Sequence, residues 1–156
     1  IMEKTLAISN YIIFRIKAEG TGLLNFLKLQ KLLYYTQAWF LAFNGDKLFD
    51  SDFQAWIHGP VSRVLFNAYK DEKSMYSEME LSDIKSNDYK SLPDQIKLHV
   101  DQILESYAVF TSTELEKMTH DEEPWITARK GFTPYERCEN IIDNNLMRDY
   151  YAARLK

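Results

Sequence analysis

The sequence predicts a mainly α protein, an irregular helical fold of six to eight helices with at most a short strand or hairpin near 47–57. Three observations predict it. Apolar residues recur three and four apart in several separate stretches, the spacing of one helix face. Cap and stop residues bracket those stretches. Only one short segment is aromatic and β-compatible. Apolar residues make up 46% of the 156 and aromatics 14%, enough for one core, so a single domain is expected over residues 2–156. Ile1 ahead of Met2 reads as an addition, with Met2 the expected natural start.

The elements follow in chain order. Leu6, Ile8, Tyr11, Ile12, Phe14 and Ile16 predict a helix over 4–19, stopped by Gly20 and Gly22. Residues 26–43 predict the central helix, with Asn25 as N-cap and Gly45 as terminator. Leu29, Leu32, Leu33, Thr36, Phe40 and Phe43 form one face, and Leu27, Tyr34, Ala38 and Leu41 a second. A helix apolar on most of its circumference is buried.

Asp46, Asp50, Ser51 and Asp52 are turn formers, and 53–57 reads as a brief strand. His58-Gly59-Pro60 reads as a turn, with Pro60 at the start of a helix over 61–70. Residues 71–91 are polar and fit a short helix or a strand equally well. Ser91 and Pro93 open a helix carrying Ile96, Val100, Ile103, Leu104 and Tyr107. Thr111, Ser112 and Thr113 ahead of Glu114 and Glu116 offer a capping box for a helix to about Met118, and Pro124 starts another that Gly131 stops. Thr133 with Glu136 is a second capping-box pattern. A last helix carries Leu146, Tyr150, Tyr151 and Leu155 from about Asp143.

Composition narrows function. A lone cysteine, Cys138, leaves no internal disulfide framework and reads as a small buried hydrophobe. His58, His99 and His120 lack zinc spacing, so no metal is expected. The net charge of −4 and scattered Lys and Arg residues give no reason to expect direct DNA binding. The longest purely apolar run, 38–43, is far shorter than the roughly 20 residues of a membrane span. No charged-then-apolar leader precedes the first helix, and a cytoplasmic location is expected. There is no glycine-rich phosphate loop and no paired-histidine metalloprotease motif, so no cofactor is expected. His120-Asp121-Glu122-Glu123 reads as a solvated acidic loop. Glu114 and Glu116, two apart on a helix, do not face each other. No nucleophile, base and orienter assemble in sequence, and the protein is expected not to be an enzyme.

Three stretches stand out. Residues 28–35 place Lys28, Gln30 and Lys31 among Leu29, Leu32, Leu33, Tyr34 and Tyr35. A buried Gln30 must be hydrogen-bonded. That helix serves either as plain core or as a platform under a site. Next, Trp56 and His58 bracket Gly59-Pro60-Val61, with Arg63 one turn on. Free amides at a helix N-terminus suit an acidic partner group, while the plainer alternative is a shaped turn with Trp56 in the core. Third, Thr119-His120 precedes Pro124-Trp125 and Ala128. There His120 closes a helix and Trp125 packs as a lid, or both are merely structural.

Together, in order and at sensible spacing, these stretches resemble the Panacea domain. It is also described as the SocA-like antitoxin domain, and earlier as a phage-associated protein family. Lys28 through Tyr35, Leu48-Phe49, Ala55-Trp56, Gly59-Pro60-Val61, Leu115 through His120, and Pro124-Trp125 through Ala128 carry the resemblance. His58 departs from it, since a Tyr is usual before the Gly-Pro. The resemblance implies a bacterial or prophage antitoxin whose partner is a cognate toxin protein. Neutralisation by direct binding is the first expectation, delivery of the toxin to a cellular protease the second, and a small-molecule enzyme around His58 and His120 the third. The expected partner-binding residues are Trp56, His58, Gly59, Pro60, Arg63, His120 and Trp125. The expected core motif is Leu29, Gln30, Leu32, Leu33 and Tyr34.

Overall fold

A computed structural model describes residues 4–20 and 22–155. The expected start at Met2 lies outside the described residues. The chain runs α1 (Lys4–Lys17), α2 (Phe26–Asn44), β1 (Phe53–Trp56), β2 (Gly59–Ser62) and α3 (Arg63–Tyr69). Two 3-10 turns, Leu81–Asp83 and Asp88–Ser91, lead to α4 (Asp94–Tyr107), α5 (Ser112–His120), α6 (Glu123–Ala128) and α7 (Asn144–Ala152). The fold is therefore mainly α, as the periodicity predicts.

Helix α2 is the centre. Its first amides are met by Asn25, which accepts from the Lys28 N–H at 2.8 Å, and Gly45 in the left-handed region ends it. Every residue from Phe26 through Ala38 is buried, because α1, α4, α5, α7 and β2 pack around it. Among the polar residues in that run, Lys28, Gln30, Lys31 and Gln37 each reach backbone groups of another segment. Lys28 Nζ donates to the Ala108 carbonyl at 2.7 Å, and Gln37 holds Leu48 and Phe49 with both ends of its amide. A loop whose backbone polar groups are buried needs partners, and α2 supplies them. The far end of α2 outruns its neighbours: Phe43, expected on the buried face, is 57% exposed.

The expected capping box forms, with Thr111 and Glu114 as its members, and the last helix is capped by Asp143, where the sequence starts it. Two expectations fail. The helix expected over 61–70 begins only at Arg63, capped by the Ser62 hydroxyl, and Gly59 and Pro60 belong to strand β2 rather than to a turn. So the hairpin spans 53–62, beyond the expected 47–57, and its two-residue turn is Ile57-His58. The Thr133–Glu136 pattern makes its cap bond, Thr133 N–H to Glu136 Oε1 at 2.9 Å, but no helix follows. The carbonyls of Thr133 and Glu136, which would accept helical amides four residues on, are taken by the buried Arg129 guanidinium. Residues 71–91 hold only the two 3-10 turns and a bridge between Asn25 and Glu78.

Candidate functional site

The hairpin register pairs Phe53 with Ser62, Gln54 with Val61, Ala55 with Pro60 and Trp56 with Gly59. Opposed residues in an antiparallel ladder alternate between bonded and non-bonded pairs. Several groups that point away from the ladder find partners on neighbouring segments. On one side, Ala55 N–H donates to Asn140 O at 2.9 Å and Ile142 N–H to Phe53 O at 2.7 Å, so 140–142 lies along β1. On the other side, Gln30 accepts from Ser62 N–H at 2.8 Å and donates back to Ser62 O at 3.2 Å. Lys31 Nζ donates to Pro60 O at 3.0 Å. Proline is tolerated at this position because the ladder asks no N–H of it. Two side chains of α2 thus stand in for a missing strand along the β2 edge.

Lys31 is fully buried. Burial pushes its amine down from the ordinary 10.5 to about 7, against the pull of the Glu116 carboxylate. Only glycine fits above it. Gly59 has φ +105, and a Cβ there would meet Lys31 Cε at 2.4 Å and Thr119 Oγ1 at 2.9 Å. On the surface over this point, His58 Nδ1 lies 3.2 Å from Glu116 Oε1.

His120 stacks on Trp125 with centroids 4.0 Å apart, and Trp125 Nε1 donates to Trp56 O at 2.9 Å. Burial holds the His120 imidazole below its usual range. Its Nε2 is buried and has no hydrogen-bond partner among the described residues. The expectation of a solvated acidic loop fails at Glu122, which accepts from Tyr35 at 2.8 Å and from Tyr151 at 2.7 Å. Burial raises that carboxyl, while the two phenols hold it down. This cluster ties α7 to α2.

The opposite face of the hairpin opens on a cleft of about 350 Å³. Trp56, Phe66 and Met75 give it apolar walls, and Arg63, Arg137 and Glu139 charge its rim. The Arg63 guanidinium sits 5.2 Å from the Trp56 ring centroid and 5.8 Å from that of Phe66. Glu139 gives one carboxylate oxygen to Arg63 and the other to Arg137, the second pair at 3.0 Å. The hydrogen bond from Arg63, with Arg137 beside it, holds the Glu139 carboxyl below the usual carboxylate range.

The structure brings the seven expected residues around one hairpin but gives them different exposures. Trp56, His58 and Arg63 line the open cleft. Gly59 and Pro60 are buried and offer no surface. Trp125 is also buried and braces the hairpin from the other side, rather than lying over it as a lid, and His120 borders with it a second, wider cleft of about 720 Å³. The helix after Pro60 begins at Arg63, and one of the amides at its start, Leu65 N–H, is taken by the Ser62 hydroxyl. Sequence reasoning missed Glu116, Arg137 and Glu139. Glu139 lies 76 positions from Arg63, and no local pattern announces such a pair.

These features define a helical protein that presents a small, rigidly braced hairpin on a buried central helix. A family model described as "Antitoxin SocA-like, Panacea domain" matches residues 29–126, well over half of the chain. The chain belongs to that family. Comparison with curated proteins gives no match, nor does comparison with solved structures. Among the described residues no helix is long and apolar enough to cross a membrane.

Proposed function

We propose that this protein is an antitoxin that neutralises a partner toxin by direct protein–protein contact, in a fixed ratio and without chemistry on the toxin. The family match over 29–126 carries the reading. The geometry on the open side of the hairpin supports it, because His58 is engaged with Glu116 there and Glu139 with two arginines. An open cleft beside an exposed Arg and aromatic side chains is also the composition of an interface anchor.

The test is to co-express the product of the adjacent open reading frame with and without this chain, and then to titrate the purified pair. Growth rescue with an end point near one fixed molar ratio is expected. Complete inactivation by trace amounts, leaving the toxin covalently altered, would replace the reading with an enzyme. Rescue that disappears in cells lacking an ATP-dependent protease would replace it with a proteolytic adaptor.

A further inference from the structure

We propose that the cleft on the outer face of the hairpin seats an acidic segment of the partner protein, with an apolar side chain against Trp56, Phe66 and Met75 and a neighbouring carboxylate between Arg63 and Arg137. This rests on the antitoxin reading and adds the chemistry of the contact.

Charge and shape carry the argument. The chain is acidic, at −4, yet the rim of this cleft carries two guanidiniums and a single carboxylate. Glu139 divides its two oxygens between them: Arg63 reaches one through a single nitrogen, and Arg137 crowds two nitrogens onto the other, so neither has the two-oxygen grip that a planar fork can make. The residual local charge is positive, and the group that satisfies it is an anion. Arg63 is held in place over the Trp56 and Phe66 rings. Arg137 is held only by Glu139 at the surface, with its side chain 81% exposed, so a ligand carboxylate can compete for it.

The cleft, about 350 Å³, lies at the small end of ligand sites, enough for a side chain or two rather than a folded element. Its apolar walls call for an apolar body beside the anion. Phosphates on a nucleic acid strand would need basic residues continuing along a track, whereas this patch ends at two.

The Arg137 and Glu139 side of the cleft lies outside residues 29–126 that the family model matches. One wall of the cleft therefore lies within the matched stretch and the other beyond it.

The probe is a capped tetrapeptide, acetyl-Gly-Phe-Asp-Gly-amide, titrated into the 15N-labelled full chain beside the same peptide with Asn for Asp. Shifts at the Trp56 indole N–H and the Arg63 Nε–H are expected, saturating at roughly millimolar peptide. The Asn peptide should bind about tenfold more weakly. Glu139→Gln, which frees both arginines, should tighten the Asp peptide several-fold, an effect that a merely structural rim would not give. Arg63→Gln with Arg137→Gln should abolish it, and Arg137→Gln alone should weaken it with the fold unchanged by circular dichroism.

Equal binding of the two peptides, no saturable shift at these residues, or preferential displacement by a single-stranded oligonucleotide would overturn the proposal. Co-expression separates its failure from that of the antitoxin reading. If the parent rescues growth and the Arg63→Glu, Arg137→Glu double variant rescues equally well, the cleft chemistry is wrong and the antitoxin reading stands. If the parent does not rescue but the peptide binds as described, the antitoxin reading falls and the carboxylate site stands.

Discussion

The two sides of the hairpin are held by opposite means. Toward α2, the β2 edge is met by Gln30 and Lys31, both fully buried, whose hydrogen bonds reach main-chain atoms. On the outer face, Arg63, Glu139 and Arg137 meet one another in water, with side chains 37%, 41% and 81% exposed. A buried polar group whose partner is lost keeps its full desolvation cost, while an exposed ion pair contributes little. The inner side therefore fixes where the hairpin sits, and the outer side is free to specialise for contact. Four measurements can break or sharpen that contrast.

The largest expected effect is on the inner side. Gln30→Ala orphans both the N–H and the carbonyl of Ser62, each buried. Denaturant titration should show a loss of about 3–5 kcal/mol, counting roughly 1–3 per orphaned group and the lost side-chain volume. A loss under about 1 kcal/mol would mean the hairpin holds itself without α2.

The second effect is a pH dependence from Lys31. Its folded value, about 7, lies below the ordinary 10.5. Between those two values the unfolded chain binds more protons than the folded one, so stability rises with pH. The rise should be roughly 3 kcal/mol between pH 7 and 10. Above about pH 10 it reverses, because burial raises the phenols of Tyr34 and Tyr35 and the unfolded chain loses those protons first. His99 and His120, both held low by burial, act only below about pH 6.5, whereas Lys28, also held low by burial, adds to the rise in the same direction. Melting curves of the parent and of Lys31→Met across pH 7–10 isolate the effect. Parallel profiles would show that the amine is not desolvated as placed.

Third, Gly59→Ala should cost about 1–3 kcal/mol, from a side chain at positive φ and its overlap with Lys31. Thermal unfolding gives the figure. An unchanged melting point would mean that the contact between β2 and α2 is loose.

The smallest effect belongs to the outer face. Arg137→Gln should change stability by under about 0.5 kcal/mol in the same titration. A loss as large as that of Gln30→Ala would mean the rim is structural, and the contrast between the two sides would collapse.

Much of the fold was legible because its signals are local. Asn25, Gly45, Thr111 and Asp143 mark helix ends where the sequence predicts them, and the buried length of α2 follows from its apolar circumference. The family motif was legible too, but not its purpose: that Gln30 and Lys31 complete a strand edge depends on which backbone passes beside α2.

Local signals also misled in three places. Gly59-Pro60 carries turn chemistry yet lies in a strand, because the Pro60 N–H is not needed at that register and the Pro60 carbonyl finds Lys31. Thr133 and Glu136 carry a cap pattern without a helix, because Arg129 occupies the carbonyls. Glu122 looked solvated among its acidic neighbours, and only the approach of Tyr35 and Tyr151 encloses it.

By itself, then, the sequence determined the helices, their caps, the identity of the central helix and the family. Each of these is written in contacts within a few residues or in an ordered motif. Tertiary structure alone decided the hairpin register, the depression of the Lys31 amine and the meeting of Arg63, Arg137 and Glu139. Those depend on groups dozens of positions apart being desolvated or charged side by side, and distance along the chain carries no record of distance in space.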